Sequence, residues 1–179
     1  MPLLPDHLKI TDIPKMENAE VADLMARFEP LVKHFNRYLT IGGFPELALS
    51  DDDLYAQRML REDVVDKVIK RDVLTLFKVR SPLLMEKLFL YLCMNSTEIF
   101  SATTAAKELD NISPNTIESY VDALVKSNLI YMAYPIAVGS KSVLKGRPKI
   151  YIADAAIRNA VLMVDDVLSD ERELGLLIE

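Results

Sequence analysis

The chain has 179 residues, 50% of them apolar and 27% charged, the balance of a folded protein with a core of its own and not of a disordered tail. Its net charge of −6 excludes a protein that coats nucleic acid indiscriminately, since phosphate binding draws on surplus Lys and Arg. A single cysteine, Cys93, excludes an internal disulfide. With no apolar run of membrane-spanning length and no signal-peptide pattern in MPLLPDHLK, the expectation is a cytoplasmic protein that makes no membrane contact.

In chain order, residues 1–17 carry Pro2, Pro5 and Pro14 without an apolar period, which predicts an extended arm. Val21, Leu24, Met25, Phe28, Leu31, Val32 and Phe35 then recur at helical spacing. Pro30 is expected to split that helix, because it removes a donor and crowds the preceding turn. Gly42-Gly43-Phe44-Pro45 stops it. Ser50, followed by Asp51, Asp52 and Asp53, reads as the capped, acidic start of the longest helix. Apolar pairs continue along it at Leu54/Tyr55, Met59/Leu60, Val64/Val65, Val68/Ile69 and Val73/Leu74. Asp63–Lys67 and Asp66–Lys70 are acid-before-base pairs on its solvated face. Ser81-Pro82 starts a further helix to about Met94 by the cap-and-proline signal.

Residues 98–154 are the most organised part. Glu98-Ile99-Phe100 suits a short strand, and Ser101 caps a small helix whose packing face is Ala102, Ala105, Ala106 and Leu109. The polar break DNIS follows, and Ser113-Pro114 restarts a helix with the stripe Ile117, Tyr120, Val121, Leu124 and Val125. LIYMAYPI reads as a strand and KIYIA as its return. Helix, turn, helix, hairpin is the order of a winged helix-turn-helix, whose second helix enters the major groove when the motif reads DNA. On that helix Asn115, Thr116 and Ser119 are the candidate DNA contacts, while Glu118 and Asp122 would repel a phosphate backbone. The wing supplies Lys141, Lys145, Arg147 and Lys149 without an acid among them. The alternatives are that those cations serve solubility alone and that the acidic helix docks a protein.

Catalytic signals are missing. His7 falls in the arm, and His34, expected to be partly packed, has no Cys, Asp or Glu at ligand spacing, so no metal site is expected. IGGFPEL lacks the four-residue gap, Lys and Ser/Thr of a phosphate-binding P-loop. On residue chemistry alone the chain is not an enzyme and holds no cofactor. The double glycine then reads as a turn whose backbone approaches something closely, with positive φ, so a Cβ at Gly43 should destabilise the fold.

YLTIGGFPEL at 38–47, Lys70-Arg71-Asp72, TIESYVDALVKSNLI at 116–130 and PKIYIAD at 148–154 form an ordered set. Together they resemble the region of unknown function that follows the P-loop domain in many bacterial and archaeal AAA-superfamily ATPases. The resemblance covers residues 28–179 and implies a mainly α architecture: a helical lid-like bundle, then a winged helix-turn-helix with a small β-hairpin. It divides the chain into an arm (1–17), a lid-like subdomain (18–80), a winged-helix subdomain (81–154) and C-terminal helices (155–179) leading to a nuclease-like domain. It implies a non-catalytic middle fragment that couples nucleotide state to nucleic-acid or protein binding, with ATP and Mg²⁺ held by the full-length protein. Gly42, Gly43, Phe44 and Pro45 would close over nucleotide on the P-loop domain, and Arg71 would sense phosphate or else pair with Asp66 or Asp72. Asp154 is expected to cap a helix. Two alternatives stay open: a protein-docking or oligomerisation module without DNA binding, and one part of a nucleotide site completed by the P-loop domain.

Overall fold

The computed structural model describes residues 8–77, 79–136, 146–164 and 166–178. The chain forms two compact units, Met1–Arg37 and Tyr38–Glu179. In the first, the expected extended arm holds a 3₁₀ turn at Ile10–Lys15, because the Lys9 N–H donates to Asp12 Oδ2 and closes the turn locally. Helix α1 (Asn18–Ile41), which continues from this unit into the second, passes through Pro30 without a break. The proline removes one ladder bond, and the remaining turns hold. Its periodicity is helical as read, yet Met25, Val32 and Phe35 are exposed, and His34 is exposed rather than partly packed.

In the second unit a short turn, α2 (Pro45–Ala48), leads to α3 (Asp53–Met59). The cap of α3 is Asp52, which accepts from the Tyr55 N–H at 2.9 Å. Ser50 accepts from the Asp52 N–H instead, so the hydroxyl sets the turn and the carboxylate caps the helix. The segment then widens into π-helical turns, Leu60–Asp66 and Val68–Val73, before α4 (Leu74–Leu76). The apolar pairs account for this. They recur at steps of five, five, four and five residues, which an α-helix of about 3.6 residues per turn would smear around its surface. The i→i+5 bonding of a π-turn lengthens the repeat and keeps Leu60, Val65, Ile69 and Val73 buried on one side. Lys67 pairs with Asp63 and Lys70 with Asp66 on the outside, as expected.

Helix α5 (Pro82–Met94) begins at Ser81, whose hydroxyl accepts from the Leu84 N–H. It is followed by α6 (Ala102–Glu108) and α7 (Pro114–Lys126). Two consecutive left-handed residues, Asp110 and Asn111, turn the chain between α6 and α7. Ser113 precedes α7 but makes no side-chain cap; its carbonyl accepts from Thr116 and Ile117. A left-handed Asn128 ends α7, and Leu129 N–H bonds back to Leu124, the geometry that satisfies last-turn carbonyls. Strands β1 (Ile130–Ala133) and β2 (Lys149–Ile152) pair antiparallel, with Met132 opposite Ile150. Ile99 makes an isolated bridge to the other side of β2 at Lys149, where a short strand over Glu98-Ile99-Phe100 was expected. Helices α8 (Ala155–Leu162) and α9 (Glu171–Ile178) complete the chain.

The unit is therefore mainly helical with a small two-stranded sheet. One core runs from Ile41 to Ala160, through Leu60, Phe89, Leu92, Leu124 and Ile150, so residues on both sides of position 80 share it. Each of the isoleucine, leucine and phenylalanine side chains among these contributes roughly 1.5–3 kcal/mol through burial. Helix α8 lies centrally, against α3, the first π-turn, α5 and β2. Among the described residues no helix is long and apolar enough to cross a membrane.

Candidate functional site

Two places collect the residues that the sequence singled out. The first is the double-glycine turn. Gly42 N–H closes the last turn of α1 on Tyr38, and Gly42 then adopts φ +78°, a conformation glycine takes without penalty. What the turn approaches is in this chain. Gly43 N–H donates to Asp154 Oδ2 at 3.1 Å, while Asp154 Oδ1 accepts from Ala156 N–H at 2.9 Å and caps α8. One carboxylate thus fastens the turn and starts a helix 111 residues further on. A Cβ on Gly42 would overlap Asp154 Oδ1 and stand 2.9 Å from the Ala156 Cβ.

The contacts continue inward. The two carbonyls before the turn, of Leu39 and Thr40, accept from Asn159 Nδ2 at 2.9 Å and Gln57 Nε2 at 3.4 Å, which pairs carbonyls that a helix end leaves open. Asn159 Oδ1 is buried without a partner among the described residues. Phe44 is extended and Pro45 takes the first position of α2, so Gly42, Gly43, Phe44 and Pro45 do form one turn. Arg71 does not join it. Its side chain is 84% exposed and pairs at 3.9 Å with neighbouring Asp72, while Asp66 is engaged by Lys70.

Behind the turn, Arg158 on α8 is buried. Its Nε donates to the Cys93 carbonyl at 3.1 Å and its Nη1 pairs with Glu173 of α9 at 2.5 Å. Burial beside it pushes the Cys93 thiol up to about 12, with the Arg158 charge opposing the shift. This keeps Cys93 a neutral, packed group and not a nucleophile. Among the described residues no three His, Cys, Asp or Glu side chains converge as metal ligands.

The second place is an open groove of about 760 Å³ between α7 and the base of the hairpin. Its floor is Val121, Val125, Met132 and Phe100, with Tyr131 and Tyr134 on its rim. Glu118 and Asp122 of α7 line it, as do Arg147 and Pro148. Lys126, the cation at the end of α7, is held by Asp122 at 2.6 Å. Of the expected DNA contacts, Asn115 and Ser119 are exposed and Thr116 half-buried, but the groove draws on Glu118 and Asp122 instead. Arg147 is exposed in the groove, and Lys149 is half-buried at the start of β2. Lys141 and Lys145 lie outside the described residues. The aromatic rim was not singled out from sequence; its signal is Tyr131 and Tyr134 in a run otherwise short of charge.

The fold and these two places define a helical module with a locked turn and an open acidic-apolar groove. The chain belongs to a family described as a domain of unknown function (DUF8612), which matches residues 32–168. It is also similar to a protein of Methanocaldococcus jannaschii named uncharacterized protein MJ1544, with 25% identity over 153 residues. That match covers 82% of this chain and 34% of the relative, so the chain spans about a third of the relative's length. No solved structure matches the chain.

Proposed function

We propose that this chain is a non-catalytic coupling module, the lid and winged-helix part of an AAA-superfamily ATPase, whose winged-helix face docks a protein segment. The ordered motif set supports the family placement, and the order α6, α7, β1, β2 supports the winged-helix reading. The observation that carries the choice of protein over duplex DNA is the groove beside α7. Glu118 and Asp122 line it over an apolar floor, and the one cation at the end of α7, Lys126, is bound to Asp122. A phosphate backbone approaching that face meets two carboxylates and, among the residues lining the groove, the single cation Arg147, where its affinity requires several cations.

ATP and Mg²⁺ belong, on this reading, to a P-loop domain of the full-length protein. The double-glycine turn is not a phosphate cradle, because the Gly43 amide is already given to a carboxylate whose charge repels phosphate. Its role is mechanical. It ties the end of α1 to the head of α8, directly after the hairpin, so a displacement of one reaches the other.

Titration calorimetry of the chain with Mg-ATP is expected to give no heat; micromolar binding refutes the non-catalytic reading. Labelled duplex DNA, followed by anisotropy at about 50 and about 200 mM salt, is expected to bind weakly if at all. Tight binding that is lost when Lys141, Lys145, Arg147 and Lys149 are replaced by glutamine refutes protein docking in favour of DNA.

A further inference from the structure

We propose that Arg158 is the centre of a binding site for a small organic carboxylate, and that helix α9 closes this site from within the chain. Glu173 is the resident ligand, and a carboxylate from outside takes its place when α9 lifts.

The site is built without α9. Arg158 stands on α8, where it is 3% exposed, and its Nε donates to the Cys93 carbonyl of α5 at 3.1 Å. That bond aims the guanidinium. A buried cation still needs an anionic partner, and the one it pairs with among the described residues is Glu173, through Nη1 at 2.5 Å. Arg158 also borders a void of about 70 Å³, lined by Ser96, Thr97, Tyr151 and Ile152 and, from α9, by Leu176 and Leu177. Ser96 and Thr97 are buried, and Thr97 has φ +72°, an outlier for a β-branched residue. The void shares no lining residue with the groove beside α7, so the site stands apart from the docking reading.

Helix α9 is poorly fastened. It has eight residues, none of them buried, and isolated helices below about 12–15 residues are marginal. Gly175 sits in its middle. A Cβ there would meet nothing within 4 Å, so no close packing requires the glycine, and it weakens the helix relative to alanine. The start of α9 is local: Asp170 Oδ1 accepts from the Arg172 and Glu173 N–H groups. Val167, shortly before, is buried. The helix thus hangs as a capped unit from a fixed point. What holds it down is the Glu173 carboxylate and the half-buried Leu174, Leu176 and Leu177.

The ligand class follows from the occupant and the space. The guanidinium already meets a carboxylate here, and Glu173 is 24% exposed, so solvent reaches the pair. The void equals the share of roughly two waters in the liquid, which suits the few carbons of a short acid.

The test uses the whole chain, with propionate as the probe and chloride at equal ionic strength as the control. In Glu173→Ala, propionate is expected to bind saturably in the millimolar range, as suits so small a ligand, and to move the Arg158 Nε–H signal in NMR spectra. Wild type is expected to bind at least about tenfold more weakly, because its tethered carboxylate competes at a high effective concentration. The α9 amides of wild type are expected to exchange hydrogen faster than those of α5, faster still with propionate, and roughly fivefold more slowly in Gly175→Ala. If Glu173→Ala loses its native circular dichroism, Glu173→Gln, which removes the charge alone, replaces it. No saturable binding in the variant, or equal binding in wild type, overturns the site. Binding of inorganic phosphate in place of propionate overturns the ligand class. Exchange of α9 that responds neither to propionate nor to Gly175→Ala overturns closure by the helix.

Discussion

Replacing Gly42 by alanine tests whether the turn is a lock. Gly42 is buried with φ +78°, so a side chain meets two penalties. The left-handed conformation costs a non-glycine residue about 1–2 kcal/mol. The new Cβ also overlaps Asp154 Oδ1 and stands 3.0 Å from Asp154 Cγ, so the carboxylate must move. When it moves, the α8 cap is lost at about 1 kcal/mol, and the Gly43 N–H loses its acceptor at about 1 kcal/mol more. The sum is roughly 3–4 kcal/mol, which for a chain of this size lowers Tm by roughly 6–16 °C. Urea unfolding followed by circular dichroism reads it directly. Combining Gly42→Ala with Asp154→Ala should cost clearly less than the two single changes added, since both remove the same contacts. A Gly42→Ala protein within about 0.5 kcal/mol of wild type, or strict additivity in the cycle, would refute the lock.

Gly43→Ala, by contrast, is expected to cost less than about 1 kcal/mol, because its tightest new contact is the edge of the Tyr38 ring at 3.3 Å, with Asp154 Oδ2 at an ordinary 3.7 Å; the same urea curve checks it. Arg158→Ala should cost about 3 kcal/mol, since it removes a part-buried ion pair with Glu173 and the buried bond to the Cys93 carbonyl, and hydrogen exchange should show α9 opening first. Cys93, whose thiol is raised from 9.0 to about 12, is expected to resist alkylation at pH 8 until the chain unfolds. Its native state holds a proton that the unfolded state releases. Stability is therefore undiminished by Cys93 below pH 9 and falls between pH 9 and 12 by about 1.4 kcal/mol per unit. Cys93→Ala should remove that part of the slope, and an unchanged slope contradicts burial as the cause.

Much of the helical frame was legible because it rests on local signals. Ser81-Pro82 marks the start of α5, Ser101 that of α6 and Asp154 that of α8, each through a side chain that reaches an amide two or three residues on. The stripe Ile117, Tyr120, Val121 and Leu124 is buried as its spacing predicts. Pro30 does not split α1, because one missing ladder bond does not stop a helix of this length. The π-turns depart from the α-helical repeat of about 3.6 residues, and the pair spacing of four and five carries their signal. The largest gain from the structure concerns the glycine turn. Composition gives its need for a close approach, and only tertiary folding shows that the approach is to Asp154 and Ala156 of this chain, where a contact on an absent domain was expected. Of the two glycines, Gly42 carries the positive φ and Gly43 supplies the amide.

The groove was half legible for the same reason. Glu118 and Asp122 were visible as acids on the outer face of α7, and Arg147 as a wing cation. Their meeting with Phe100, Met132 and the tyrosines depends on how the hairpin folds back, which no spacing within α7 encodes. Asn115, Thr116 and Ser119 share that helix, yet none of them lines the groove.

The central proposal, that the face formed by α7 and the hairpin does not take duplex DNA, is tested most directly by amide NMR shifts on adding duplex DNA at about 150 mM salt. The account predicts that the duplex leaves Asn115, Thr116, Ser119 and Arg147 unmoved. Saturable shifts at those four residues would contradict it.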